Sequence, residues 1–111
     1  YTYMNLEKYD EAIGDFSEVI RLDPENSYAY ISRGNAYKDF GKYDEAISEY
    51  SEAIRLDPED ALAYISRGNA YDYLEKYDEA IRDYTEAIRL DPEYAGAYIN
   101  ISKINSGKRV K

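Results

Sequence analysis

The sequence contains no cysteine and no histidine. The chain therefore cannot form disulfides, thiolate metal sites or thiol nucleophiles, and it has no imidazole to act as a base or a metal ligand. These absences exclude most common enzyme chemistries. We expect a protein that is not an enzyme and that uses no cofactor and no metal ion. The lack of cysteine also fits a reducing compartment.

Long apolar runs and a basic balance are missing as well. No stretch approaches the roughly 20 apolar residues that cross a bilayer, and no charged leader precedes an apolar one. We therefore expect no membrane insertion and a cytoplasmic protein. The 23 acidic against 14 basic residues give a formal charge of −9. Because such a surface repels phosphate, we expect no nucleic acid partner. The basic cluster at residues 106–111 is predicted to be a solvated tail.

What the chain does contain is internal repetition. The nine residues AYISRGNAY occupy positions 29–37 and again 63–71. When residues 27–60 are aligned with 61–94, 24 of the 34 positions are identical. Residues 1–26 match the later part of this unit, and residues 95–105 match its beginning. We therefore predict a partial first unit at 1–26, complete units at 27–60 and 61–94, and a single covering helix at 95–105.

Each complete unit has the apolar spacing of two short helices. In the second unit, Tyr30, Gly34 and Tyr37 fall at i, i+4 and i+7, and the stretch from Ala46 to Ile54 has the same helical period. Gly41 is suited to end the first of these helices. A second helix is therefore expected to follow within a few residues of this glycine.

The sequence Leu-Asp-Pro-Glu at residues 56–59 marks the boundary to the next unit, and Asp-Pro-Glu recurs at 23–25 and 91–93. Asp57 can accept hydrogen bonds from the first turn of a helix, and proline is tolerated at a first helical position because its missing N–H has no partner there. We therefore expect Asp57 to cap the next helix and Pro58 to take its first position.

A helical hairpin of this length, with an aromatic residue, a glycine, a tyrosine, two alanines and a proline at fixed offsets, resembles the tetratricopeptide repeat. Those positions are Tyr30, Gly34, Tyr37, Ala46, Tyr50, Ala53 and Pro58 in the second unit, and Tyr64, Gly68, Tyr71, Ala80, Tyr84, Ala87 and Pro92 in the third. The partial first unit supplies Tyr3, Ala12, Phe16 and Pro24 with Val19 in place of an alanine, and the last begins at Tyr98 with Ser102 in place of glycine. The resemblance implies an all-α fold, a right-handed α-solenoid of antiparallel helix pairs.

In proteins of that family the first helix of each unit lines a concave groove that binds part of a partner. Asn35 and Asn69, one unit apart, offer donors and an acceptor that can hold the backbone of an extended peptide. The alternative is that both asparagines only hydrogen-bond a neighbouring helix or water. The resemblance places the following residues in the groove: Tyr28, Ile31, Ser32, Asn35, Lys38, Asp39, Leu62, Ile65, Ser66, Asn69, Asp72, Tyr73, Ile99 and Asn100.

One use of the groove in that family is to bind the terminal carboxylate of chaperone tails, which depends on lysine and arginine at particular groove positions. This sequence has Ile31, Ser66 and Gly96 at such positions, and only Asn35 fits. The resemblance therefore predicts that the groove does not bind chaperone tails in this way.

Charged residues form two further repeated sets. Arg33 and Arg67 stand where the family usually has apolar residues, and we expect their stems to pack while each guanidinium reaches a carboxylate of the next helix. The second helices carry acidic trios, which we interpret as a solvated convex face or, alternatively, as a docking ridge for a basic partner. Arg21, Arg55 and Arg89 partly offset this charge. The trios are Glu11, Asp15 and Glu18; Glu45, Glu49 and Glu52; and Glu79, Asp83 and Glu86.

Two functions remain open from the sequence. The first is a non-catalytic protein–protein interaction module whose groove binds a peptide or helical segment of a partner. The second is a structural module that self-associates into a homo-oligomer through its repeat ends, or forms part of a longer repeat array with no dedicated ligand.

Overall fold

The computed structural model describes residues 3–93 and 100–104, and every regular element in these two ranges is an α-helix. The helices are α1 (Tyr3–Leu22), α2 (Ser27–Asp39), α3 (Tyr43–Leu56), α4 (Ala61–Tyr73) and α5 (Tyr77–Leu90). Residues 100–104 are also helical. The predicted all-α fold is confirmed. Across the described residues, none of the helices combines the length and apolar character that a membrane span requires.

The helices pack in chain order, with α1 on α2, α2 on α3, α3 on α4 and α4 on α5. The links between them are three or four residues long. Helices joined by links this short run back along one another as antiparallel pairs. α2 and α4, the first helices of the two complete units, also contact each other. The result is a stack of helix pairs in which each unit buries its apolar face against its neighbours.

The core of each complete unit is a tyrosine ring packed against a glycine. Tyr50 and Tyr84 are 0% exposed. A Cβ atom added to Gly34 would lie 2.7 Å from Cε1 of Tyr50, and one added to Gly68 would lie 2.8 Å from Cε1 of Tyr84. Atoms this close would overlap, so no side chain fits at either glycine unless the ring moves. The expectation that small residues let the helices approach closely is confirmed.

The link after the first helix of each unit requires one residue in the left-handed conformation. Gly41 has a φ of +84°, and Glu75, at the same place in the next unit, has a φ of +60°. Glycine adopts this conformation freely, whereas a residue with a Cβ does so at a cost. The prediction that Gly41 ends the first helix is confirmed, whereas the left-handed conformation of Glu75 was not predicted.

The predicted cap at the unit boundary is wrong. Asp57 is the C-cap of α3, and its carboxylate accepts a hydrogen bond from the backbone N–H of Glu59 within the link. The N-cap of α4 is Asp60, whose carboxylate accepts from the N–H of Leu62 at 3.0 Å. Pro58 therefore lies in the turn rather than at the first helical position. The link before α2 has the same arrangement.

The two partial units differ from the complete ones. α1 runs without a break from Tyr3 to Leu22, through the place where the repeat would put a turn at 6–8. Of the predicted covering helix, residues 100–104 are described. Ile99, Gly96 and the predicted tail lie outside the described residues, and the predicted unit boundaries stay a prediction.

Candidate interaction groove

The predicted groove residues of α2, α4 and 100–104 differ widely in exposure. Tyr28, Asp39, Leu62 and Tyr73 are exposed; Ser32, Asn35, Lys38, Asn69, Asp72 and Asn100 are half-buried; and Ile31, Ile65 and Ser66 are buried. Ile99 lies outside the described residues. The exposed and half-buried side chains are therefore the part of the predicted set that a partner can reach without repacking the core.

Ile31 and Ser66 were expected on the groove surface, and the structure buries both. Ile31 is 1% exposed and belongs to a core cluster with Ala63 and Ala70 of α4. Ser66, 6% exposed, lies between these two alanines on the same face of α4. The reason is that α2 and α4 pack directly on each other, a contact between units that the spacing within one unit does not reveal. Ile65 is buried in the same way, in the cluster that includes Ile104.

The two asparagines are held by the buried tyrosines. The hydroxyl of Tyr50 donates to Oδ1 of Asn35 at 2.5 Å, and the hydroxyl of Tyr84 donates to Oδ1 of Asn69 at 2.6 Å. Nδ2 of Asn100 also donates to Oδ1 of Asn69, at 3.3 Å. Within the described part of the chain, the Nδ2 groups of Asn35 and Asn69 donate no hydrogen bond. Each carboxamide is thus oriented through its oxygen, and its two N–H donors remain available.

Sequence reasoning assigned Tyr50 and Tyr84 to packing alone and missed their part in orienting the asparagines. Burial raises the pKa of both tyrosines, and the nearby carboxylates of Asp39 and Asp72 add to this rise. Both hydroxyls therefore remain protonated donors at neutral pH. The sequence did contain a signal, because the asparagine and the tyrosine are 15 residues apart in both units.

Open depressions lie at both ends of this surface. One of about 310 Å³ is lined by Tyr9, Ala12 and Phe16 of α1 and by Ser32, Asn35, Ala36 and Asp39 of α2. Another of about 260 Å³ is lined by Asp72, Tyr73, Glu75 and Tyr77. Burial raises the pKa of Asp72, while Lys103 acts in the opposite direction. The described side chains include no cluster of acidic groups suited to hold a metal ion.

The two repeated arginines connect three helices each. Nε and Nη2 of Arg67 donate to the two carboxylate oxygens of Asp83, both at 2.8 Å, and Nη1 donates to Oγ of Ser51 at 3.2 Å. Arg33 forms the equivalent ion pair with Glu49 and donates to Oγ of Ser17 at 3.0 Å. The prediction that each guanidinium reaches a carboxylate of the next helix is confirmed. The serine of the preceding unit was not foreseen.

These contacts correct the interpretation of the acidic trios as fully solvated. Glu49 and Asp83 belong to the arginine contacts, and Asp83 is 3% exposed. Each outer glutamate accepts a hydrogen bond from the arginine three residues later, which lowers the pKa of the glutamate. The expected offset by these arginines is thus confirmed. The pairs are Glu18 with Arg21 at 3.0 Å, Glu52 with Arg55 at 2.8 Å and Glu86 with Arg89 at 2.8 Å.

Comparison with known families and structures gives a consistent result. A TPR repeat model matches residues 1–41 and 34–72, and a tetratricopeptide repeat model matches residues 61–94. No curated protein sequence matches the chain.

Three solved structures illustrate the similarity. The first TPR of Spaghetti (RPAP3), bound to the HSP90 peptide SRMEEVD, is 32% identical, with 96% of this chain and 85% of that one covered and a TM-score of 0.88. The second TPR domain of human RPAP3, in complex with the HSP70 peptide SGPTIEEVD, is 32% identical over 93% and 86% of the two chains, with a TM-score of 0.83. The Arabidopsis OM64 TPR domain is 25% identical over 91% and 84%, with a TM-score of 0.86. These matches confirm the predicted right-handed α-solenoid.

Proposed function

The chain belongs to the tetratricopeptide repeat family, and from this premise we propose that it is a protein–protein interaction module whose groove binds an extended segment of a partner protein. The family is generally non-catalytic, and we propose a scaffold without enzymatic activity. The cytoplasmic location and the absence of a nucleic acid partner stay predictions from the sequence.

The observation that carries this proposal is the orientation of Asn35 and Asn69. Their Oδ1 atoms are occupied by buried tyrosine hydroxyls, so the groove presents the same pair of N–H donors in two successive units. Carbonyl oxygens are the matching acceptors, and an extended backbone offers them at regular intervals whatever its sequence. The side chains of the bound segment would then contact exposed groove residues such as Tyr28, Leu62 and Tyr73.

The relatives support a peptide ligand, but the groove favours a different one from theirs. Their bound peptides, SRMEEVD and SGPTIEEVD, are acidic at the C-terminal end. At the positions where the family binds such tails through lysine and arginine, this chain has Ile31 and Ser66, which are both buried. With Asp39 and Asp72 at the groove and a formal charge of −9, we propose a partner segment that is not acidic.

Selection from a phage-displayed library of random linear peptides tests this function. We expect selected peptides to bind with an affinity that drops about tenfold in Asn35→Ala and in Asn69→Ala, because each change removes one hydrogen bond to a backbone carbonyl. Ser48→Ala, on the exposed side of α3, serves as the matched control and leaves the affinity unchanged. Failure to select any peptide, or selected peptides insensitive to both asparagine changes, would contradict the proposal.

A second experiment uses the peptide SRMEEVD to test the proposed ligand chemistry. We expect no saturable binding of SRMEEVD to this chain, with the first TPR of Spaghetti (RPAP3) as the positive control in the same titration. Binding of SRMEEVD at comparable affinity would contradict the proposed ligand chemistry while leaving peptide binding itself intact.

Self-association is the second candidate function, because α1 exposes apolar side chains. Val19 is 39% exposed and Leu22 is 70% exposed. Sedimentation velocity across a range of protein concentrations distinguishes the two functions. Self-association predicts a sedimentation coefficient that rises with concentration and falls back in Leu22→Ser, whereas the interaction module predicts a constant value.

A further inference from the structure

We propose that the open depression lined by Asp72, Tyr73, Glu75 and Tyr77 is a subsite for an arginine side chain of the segment that the groove binds. This depression is called the arginine subsite below. The inference rests on the proposed function, because its ligand belongs to the bound segment, and it adds the one side chain that this segment must carry.

The first feature of the subsite is an exposed aromatic ring. Tyr73 stacks on Tyr43, with ring centroids 5.0 Å apart and an angle of 10° between the ring planes. Tyr73 is nevertheless 67% exposed. Because Tyr43 covers one face of the ring and holds it in place, the other face is open to a ligand. The negative potential of such a face attracts cations.

The second feature is an excess of negative charge. Three depressions meet at Tyr77, and the charged side chains that line them are four carboxylates and two ammonium groups. A concave surface with this balance attracts cations and repels anions. The carboxylates belong to Asp72, Glu75, Asp78 and Glu79, and the ammonium groups to Lys76 and Lys103.

The chain itself shows which cation suits such groups. Cζ of Arg67 lies 5.8 Å from the ring centroid of Tyr64 and 5.9 Å from that of Tyr71. The same guanidinium donates to both carboxylate oxygens of Asp83. Two tyrosine rings and a carboxylate thus hold one arginine, because a planar guanidinium can lie against a ring while its N–H groups donate to carboxylate oxygens. The subsite offers the same kinds of group.

The subsite lies beside one of the two groove asparagines. Asp72 and Tyr73 follow Asn69 by three and four residues, so the three side chains lie on one face of α4, about one helical turn apart. A segment whose backbone accepts a hydrogen bond from Nδ2 of Asn69 can therefore place a neighbouring side chain in the subsite.

The two complete units differ at this place. Asp72 and Tyr73 of the third unit correspond to Lys38 and Asp39 of the second, so the second unit has neither the exposed ring nor the same charge. The groove asparagines are identical in both units and would hold a backbone whatever its sequence. Two identical contacts cannot fix the register of a bound segment, whereas a subsite that belongs to one unit can. An arginine in the segment would supply that register.

Titration of the isotope-labelled chain with N-acetyl-arginine amide tests the subsite by two-dimensional NMR. We expect weak but saturable shifts that are largest at the amides of the four lining residues. The matched control is N-acetyl-citrulline amide, which has almost the same shape without the charge, and we expect its Kd to be about tenfold higher. N-acetyl-lysine amide has the same charge without the planar fork and should also bind more weakly.

Variants of the full chain show where the arginine probe binds. We expect Tyr73→Leu and Asp72→Asn each to raise its Kd about threefold, because each removes one contact at a partly exposed site. Tyr28→Leu and Asp10→Asn make the same two changes at other exposed positions and should leave the Kd unchanged. Asn35→Ala should also leave it unchanged, although this variant weakens peptide binding. Failure of the subsite and failure of the peptide-binding function are therefore distinguishable.

Peptides selected from the display library test the subsite within a bound segment. We expect these peptides to carry an arginine at one fixed position. Replacement of that arginine by citrulline should raise the Kd about tenfold in the parent chain and by a smaller factor in Asp72→Asn. Selected peptides without a fixed arginine would overturn the subsite and leave the peptide-binding function intact.

The probe titrations can overturn the proposal in three further ways. Equal Kd values for the arginine probe and either control probe would show that the depression does not select a guanidinium. Shifts spread over the acidic surface, and insensitive to Tyr73→Leu and Asp72→Asn, would show attraction by net charge alone. A lower Kd of the arginine probe in Arg109→Gln would assign the subsite to an arginine of the chain itself.

Discussion

At the scale of single residues, two buried hydroxyls determine what the groove presents. Tyr50 and Tyr84 have no exposed surface, yet their hydroxyls reach Oδ1 of Asn35 and Asn69. Phenylalanine in place of Tyr50 would keep the packing and leave the carboxamide of Asn35 free to rotate, whereas Asn69 would keep the hydrogen bond from Asn100 after the same change at Tyr84. The two tyrosines are therefore positioning residues for the proposed site as well as core residues.

The raised pKa of these tyrosines predicts a loss of stability in alkaline solution. A tyrosine in the unfolded chain ionises near pH 10, whereas burial keeps Tyr50 and Tyr84 protonated in the folded chain to higher pH. The two tyrosines contribute fully to the free energy of unfolding below about pH 10. Above that pH, each of them lowers the free energy of unfolding by about 1.4 kcal/mol per pH unit. We expect the double variant Tyr50→Phe and Tyr84→Phe to flatten this decline in urea unfolding measured from about pH 9 to about pH 11.

Tyr28→Phe, at an exposed position, is the matched control for this pH series and should decline as the parent does. A double variant that loses stability as steeply as the parent above about pH 10 would show that the buried tyrosines are not the cause.

A second prediction concerns the left-handed residues of the links. Because Glu75 adopts a φ of +60°, we expect Glu75→Gly to raise the free energy of unfolding by about 0.5 to 1 kcal/mol. The reciprocal change, Gly41→Glu, should lower it by a similar amount. Chemical denaturation of the two variants measures both effects. A lower stability of Glu75→Gly would mean that contacts of the glutamate side chain outweigh the backbone strain.

At the scale of helices, the glycine–tyrosine contact sets how closely two helices approach. Gly68→Ala should lower the free energy of unfolding by about 1 to 3 kcal/mol, because the added methyl overlaps the ring of Tyr84. Gly14→Ala provides the matched control, since a Cβ at this exposed site in α1 meets nothing within 4 Å. It should raise stability by about 0.5 to 1 kcal/mol through helix propensity. Thermal unfolding in which both variants shift in the same direction would contradict this interpretation.

The helices were also the level at which the sequence predicted most. The helical spacing of the apolar residues and the internal repeat were sufficient to place two helices in each complete unit, and the small residues indicated that these helices are in close contact. The errors arose where two physical explanations suit the same residues. Asp57 and Pro58 can start a helix or form a turn, and the backbone geometry of the link decides for the turn. Ile31 can line a groove or fill the contact with α4, and only the stacking of units shows which.

At the scale of the whole molecule, a relay of polar contacts links one unit to the next. One link consists of Ser17, Arg33 and Glu49, and the other of Ser51, Arg67 and Asp83, and successive members are 16 positions apart in the sequence. The same step from Thr85 reaches Ile101, where the relay ends for lack of a charged side chain. The sequence predicted the contact of each arginine with a carboxylate of the next helix, but not the serine, which belongs to the preceding unit.

The stability of a repeat protein is close to a sum of terms within units and between neighbours. The arginine relay contributes to both kinds of term, because each guanidinium contacts an acid of its own unit and a serine of the preceding one. Surface pairs such as Glu86 with Arg89 lie within one helix and are largely exposed to solvent. Arginines of the two kinds should therefore differ sharply in their effect on folding.

Arg67→Met tests this difference. The change leaves the carboxylate of Asp83, 3% exposed, buried without its ion pair, and we expect the free energy of unfolding to fall by about 3 kcal/mol. Arg89→Met removes an exposed pair and should cost less than about 0.5 kcal/mol. Adding Asp83→Leu to Arg67→Met should recover most of the loss, because the unpaired buried charge is then gone. Urea unfolding in which both arginine variants lose equal stability, or in which the double variant is no more stable than Arg67→Met, would show that the buried ion pair of Arg67 and Asp83 does not stabilise the fold.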